Sequence, residues 1–99
     1  MRRIRLSREA QADLDEIWLY VARTRDPKAA DAVIDAITER LLLLARMPQA
    51  GRRRDELLPG VRSFPVRDHV IYYTRRESAL VILRVLHAAR DAVRQFDKS

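Results

Sequence analysis

The stretch ALVILRVL, residues 79–86, constrains this chain more than any other. Leu80, Ile82 and Leu86 fall on one side of an extended strand, and Val81, Leu83 and Val85 on the other. A half-covered strand alternates apolar and polar residues, so a run that is apolar on both parities describes a central strand covered on both faces. The rest of a 99-residue chain must therefore supply strands to flank it and layers to cover it.

Two helices are predicted upstream. Ser7 is a helix cap with Glu9 in the first turn, after which Ala10, Leu14, Ile17 and Val21 recur at helical spacing up to RTR. Glu9, Asp13 and Glu16 line an adjacent face. Asp26-Pro27 is a second start signal, followed by a stripe of Val33, Ile37, Leu41 and Leu44 that Ile34 and Leu42 widen. LLLLA is apolar nearly all round, which calls for two neighbours: the sheet on one side and a partner on the other. Met47-Pro48 and Gly51 end the helix.

Before the first helix, RRIRLS has the period-two pattern of an edge strand. After the second, GRRRDELLPG is a basic, turn-bounded connection. VRSFPV reads as an edge or irregular strand because Pro65 cannot donate to a ladder, and RRES joins HVIYYT to the central run as a hairpin. Ala89, Ala92, Val93 and Phe96 are spaced for a short terminal helix. The expected fold is a single α+β domain over residues 1–99. In it a two-helix hairpin packs on a small, mainly antiparallel sheet in the order β-α-α-β-β-β, with a short C-terminal helix.

Composition narrows the chemistry. With no cysteine, two histidines and two glycines, the chain has no disulfide, no thiolate metal site and no glycine-rich phosphate loop, so neither metal nor cofactor is expected. No apolar segment reaches the roughly 18 residues of a membrane span, and no apolar stretch follows the basic opening, so a cytoplasmic protein is expected. Net charge is +6, unevenly spread: residues 1–46 carry nine Lys/Arg against eight Asp/Glu, whereas residues 47–99 carry eleven against six. A basic half suits an anionic partner, and is equally the solvated surface of an arginine-rich protein.

Individual residues leave alternatives open. Arg52, Arg53 and Arg54 could hold phosphates or simply be solvated. Arg84 interrupts the apolar strand, where a charge is costly unless paired; it is a phosphate clamp, a partner's anchor, or the internal mate of Asp68, Glu77 or a C-terminal acid. His87 would act as general acid or base in an RNA-cleaving site together with Arg62, Arg84 and a tyrosine such as Tyr73. In the structural alternative, Asp91 holds its ring through a hydrogen bond four residues on, while His69 faces solvent. Trp18 and Tyr20 lie off the Leu14/Ile17 stripe, as anchors for a partner or as the rim of the core.

Three segments in series, LSREAQADLDEIWLYVA, MPQAGRRRDELLPGVRSFPVRDHVIYYT and VILRVLHAARD, resemble the RelE/ParE superfamily of type II toxin–antitoxin toxins, on the ParE side. The resemblance spans nearly the whole chain. It implies a toxin neutralised by a cognate antitoxin, usually a ParD-like ribbon-helix-helix protein, in a hetero-oligomer that represses its own operon through the antitoxin's DNA contacts. It further implies that the free toxin inhibits DNA gyrase, blocks replication and arrests growth, the behaviour used in plasmid stabilisation. The antitoxin would then dock on Trp18, Ile34, Leu41, Leu42, Arg62 and Arg84. RelE-type relatives instead cut mRNA on the ribosome; here Ala88 follows His87 where a tyrosine is usual, and lysine is scarce. No catalytic residue is expected on the ParE side. The nuclease alternative uses Arg62, Tyr73, Arg84 and His87, and a third reading is an inactive toxin kept as a binding module.

Overall fold

A computed structural model describes residues 3–97. Strand β1 (Arg3–Leu6) leads into helices α1 (Arg8–Thr24) and α2 (Pro27–Arg46), then a single 3₁₀ turn at Pro48–Ala50. Strands β2 (Arg52–Arg53), β3 (Arg62–Val66), β4 (His69–Arg76) and β5 (Ala79–His87) follow, and helix α3 (Ala92–Asp97) ends the described chain. The strands form one sheet in the order β1-β5-β4-β3-β2, with β1 parallel to β5 and every other pair antiparallel. This is the expected α+β arrangement with one addition, the two-residue β2 inside the basic connection.

The helices start where the sequence places their caps. Ser7 Oγ accepts the Ala10 N–H at 2.9 Å, and Asp26 Oδ1 accepts the Ala29 N–H at 2.7 Å with Pro27 in the first turn. The hairpin lays Ala10, Ile37, Leu41 and Leu44 against Ile71, Tyr73, Leu80, Ile82 and Val85, forming the main core. Across the sheet, Ala92 and Phe96 of α3 cover Val61, Tyr72 and Leu86. β5 is thus a central strand with cover on both faces, as its composition demands. Burying a side chain such as Leu44 or Ile82 contributes about 1.5–3 kcal/mol each. β2 reaches only Arg62 and Ser63, so Pro65 sits in the part of β3 that has no second neighbour.

Strict alternation fails in β5. Arg84 pairs with Tyr72 but Ile82 pairs with Tyr73, so Leu83 is an extra residue, a β-bulge. Beyond it the parity reverses: Val85 joins Leu80 and Ile82 beneath the helices, and Leu86 joins Leu83 on the α3 side. The expectation that Leu86 would share a face with Leu80 and Ile82 is therefore corrected by one inserted residue. A bulge frees backbone groups from the ladder, and here the α1 end takes them up. Ser7 Oγ donates to Leu83 O at 2.8 Å, and Asp13 Oδ2 accepts the Val85 N–H at 2.9 Å.

Candidate functional site

Asp13 lies on the same turns as Glu9 and Glu16, yet only 4% of it is exposed. Its carboxylate receives both prongs of the Arg84 guanidinium, Nε to Oδ2 and Nη2 to Oδ1, each at 2.8 Å, besides the Val85 amide. The Asp13 hydrogen bond holds the Arg84 pKa above its ordinary value. Arg84 thus pairs with a residue 71 positions away rather than with Asp68, Glu77 or a C-terminal acid. Two of the three guanidinium nitrogens are engaged on one carboxylate and the side chain keeps an exposed edge, which is how a charge survives inside an apolar strand.

Tyr73 is 1% exposed. Its hydroxyl donates to Pro48 O at 2.7 Å and accepts the Gly51 N–H at 2.8 Å, tying the end of α2 to the sheet. Burial pushes its pKa up despite the Gly51 hydrogen bond and nearby Arg62. A Cβ at Gly51 would collide with the Tyr73 hydroxyl and approach Ser63 O to 2.9 Å, so only glycine fits there. Arg62, opposite Tyr73 on β3, donates from Nη1 to Gly51 O at 2.8 Å.

The arginine run divides between faces. Arg54 bonds Glu56 at 2.7 Å and stands 5.7 Å over the Tyr72 ring, toward α3. Arg53 pairs with Asp55 at 2.8 Å, and Asp55 also accepts the Gly60 N–H, which together with Arg53 pulls its pKa down. Arg53, Arg62 and Arg75 line a recess of about 560 Å³ with Pro48, Gln49 and Thr74.

A second, larger groove of about 900 Å³ runs between α1 and the far end of the sheet. Ile17, Leu19 and Tyr20 form its apolar wall, with Leu19 54% and Tyr20 62% exposed. His69 and His87 lie across from each other on β4 and β5 and also line it, their rings edge to face at 5.5 Å. His87 Nδ1 accepts the Ala89 N–H at 3.0 Å, while Asp91 caps α3 through Val93 N–H rather than holding the histidine. His69 is half-buried rather than solvent-facing; burial, then the neighbouring His87, lowers its pKa below the ordinary 6.5.

Trp18 is half-buried and donates from Nε1 to Asp31 Oδ1 at 2.8 Å, which ties α1 to α2. Ile34 is half-buried beside the core, Leu41 lies within it, and Leu42 is 43% exposed. Of the four residues that a nuclease reading needs, Arg62 and Tyr73 share the smaller recess, His87 lines the larger groove, and Arg84 lines neither. Leu19 was missed at the sequence level, although its position off the Leu14/Ile17/Val21 stripe is a readable signal. Asp13 was missed because its partner is remote. No cluster of three or more potential metal ligands occurs among the described residues.

Residues 4–92 match the family model described as "ParE toxin of type II toxin-antitoxin system, parDE". The chain is 31% identical over 98 residues to Toxin ParE3 of Caulobacter vibrioides, covering 99% of this chain and 98% of that protein. Toxin ParE1 of the same organism is 33% identical over 92 residues, covering 93% and 95%. Among solved structures, a chain of the chromosomal ParDE TA system from P. aeruginosa superposes with a TM-score of 0.76 at 25% identity, covering 88% of this chain and 96% of that one.

Proposed function

The chain belongs to the ParE toxin family of type II toxin–antitoxin systems, and on that premise we propose that the free protein inhibits DNA gyrase by binding it, so that replication stalls. The observation that carries the binding mode is the placement of the four residues a nuclease would use. Tyr73 has its hydroxyl committed inside the core, Arg84 is spent on Asp13, and His87 lines a different cavity from Arg62. A general acid–base pair must reach one scissile phosphate together, and these groups are spread over separate surfaces.

In the same reading, a cognate ParD-like antitoxin of the ribbon-helix-helix type silences the toxin in a hetero-oligomer, and supplies the contacts to operator DNA. Its docking surface is the hairpin face around Trp18, Ile34 and Leu42 with Leu41 beneath, extended by Arg62 and by the edge of Arg84 that its pairing with Asp13 leaves exposed. The exposed Leu19 and Tyr20 support this assignment, because large apolar side chains left open on one helix are the usual anchors of a partner. No helix among the described residues is long and apolar enough to cross a membrane, and the cytoplasm, where gyrase acts, is the proposed compartment.

The test is a supercoiling and DNA-cleavage assay of purified gyrase with antitoxin-free protein. Accumulated cleaved DNA is expected, unchanged in His87→Ala. Untouched gyrase together with cleavage of ribosome-bound mRNA, lost in His87→Ala, would overturn the reading in favour of a nuclease.

A further inference from the structure

Apart from Arg62, the recess between β2, β3 and β4 has no part in the function proposed above. Register places Arg53 opposite Arg62 and Arg62 opposite Tyr73, so these side chains share one face of the sheet. Arg75 follows Tyr73 by two residues on β4 and falls on that face as well. Three guanidiniums on three adjacent strands therefore line one cavity of about 560 Å³, with Asp55 as its single carboxylate. Asp55 is already occupied by Arg53 and the Gly60 amide. Arg62 is anchored through one nitrogen to the Gln49 and Gly51 carbonyls, at 3.5 and 2.8 Å, which leaves the rest of its fork open. Arg75 is exposed and has no partner among the described residues. The cavity thus carries more cationic donors than the protein itself satisfies.

We propose that this recess binds the phosphodiester backbone of duplex DNA, so that the protein touches DNA directly and without regard to sequence. Guanidinium forks match phosphate oxygens two by two, and the +6 chain concentrates its excess charge in residues 47–99, which steers a polyanion to this half. The one aromatic residue of the recess, Tyr73, is sealed in the core, so no platform is available to stack an unpaired base. That favours a duplex, whose bases are already stacked, over single-stranded RNA. An acidic peptide is disfavoured because none of the large exposed apolar side chains that would anchor a peptide lines the recess itself; Met47 and Leu58 adjoin its lining residues Pro48 and Pro59 in the chain, and the others lie farther off.

The experiment is fluorescence anisotropy of a labelled duplex of arbitrary sequence, titrated with the antitoxin-free full chain at several salt concentrations. Expected is an affinity in the range of about 10⁻⁴ to 10⁻⁶ M, with a log–log salt slope near −2 to −3 for two or three neutralised phosphates. Arg75→Gln should weaken binding about five- to tenfold and make the slope shallower by about 1. Arg76→Gln removes the same charge from the neighbouring exposed position outside the recess, and should change affinity less than about twofold with the slope kept. The proposal is overturned by absence of saturable binding, by equal losses in the two variants, by tighter binding to a single-stranded RNA, or by displacement of the duplex with poly-glutamate at lower charge concentration. Gyrase is absent from this assay and salt titration from the gyrase assay, so either reading can fail without the other.

Discussion

Arg84 and Arg75 are carried by adjacent strands of one sheet, yet their circumstances are opposite. Arg84 has both prongs on a buried carboxylate, whereas Arg75 meets no acid among the described residues. The α1–β5 junction is therefore a closed electrostatic unit, and the β2–β3–β4 recess an open one. An arginine that is costly to leave unpaired is matched within the fold, and one that reaches water can be left for a partner. Exposure rather than residue type decides which arginines are structural.

The sharpest way to break this contrast is Asp13→Ala. It strands the Arg84 guanidinium and the Val85 amide of the bulge, and should cost about 3–5 kcal/mol, read as a lowered midpoint in urea. Asp13→Asn, which keeps one acceptor oxygen but turns the other into a donor and removes the charge, should recover only part of that loss. Next is Tyr73→Phe, which leaves Pro48 O and the Gly51 N–H without partners and should cost about 1–3 kcal/mol in the same titration. The histidine pair gives a smaller, pH-dependent effect. Because the fold lowers the His69 pKa, the unfolded chain binds the proton first as pH falls below 6.5. Stability should be constant above that value and decline as pH drops toward the folded pKa; His69→Gln should flatten the decline in melts across that range. Smallest of all is Arg53→Ala, whose exposed pair with Asp55 should leave the melting temperature unmoved, marking this arginine as dispensable for folding.

Much of the frame was legible because its causes are local. Ser7 and Asp26-Pro27 announce helix starts within a few residues of where they act, and the two-parity run of β5 declares a central strand. What escaped depends on residues far apart in the chain. β2 is two residues long and exists only because Arg62 and Ser63 lie beside it. The bulge at Leu83 depends on Ser7 and Asp13, and no window around residue 83 contains either. Tyr73 looked available for chemistry until Pro48 and Gly51 claimed its hydroxyl. For the same reason Asp13 was not told apart from Glu9 and Glu16 on the face beside the apolar stripe: a buried carboxylate and an exposed one are identical in sequence until the partner is known.

The stitching of Ser7 and Asp13 to β5 also sets a timetable for synthesis. α1 can coil as soon as it leaves the ribosome, but the cap hydroxyl's acceptor at Leu83 lies 76 residues downstream and the Arg84 partner of Asp13 lies 71 downstream. β1 has no strand to pair with until Ala79 and its successors have emerged. At a translation rate of about 5–20 residues per second, the chain spends several seconds unable to close its central strand. A toxin built this way is assembled last at its middle, and its helical hairpin stands exposed to the cell before the sheet behind it is complete.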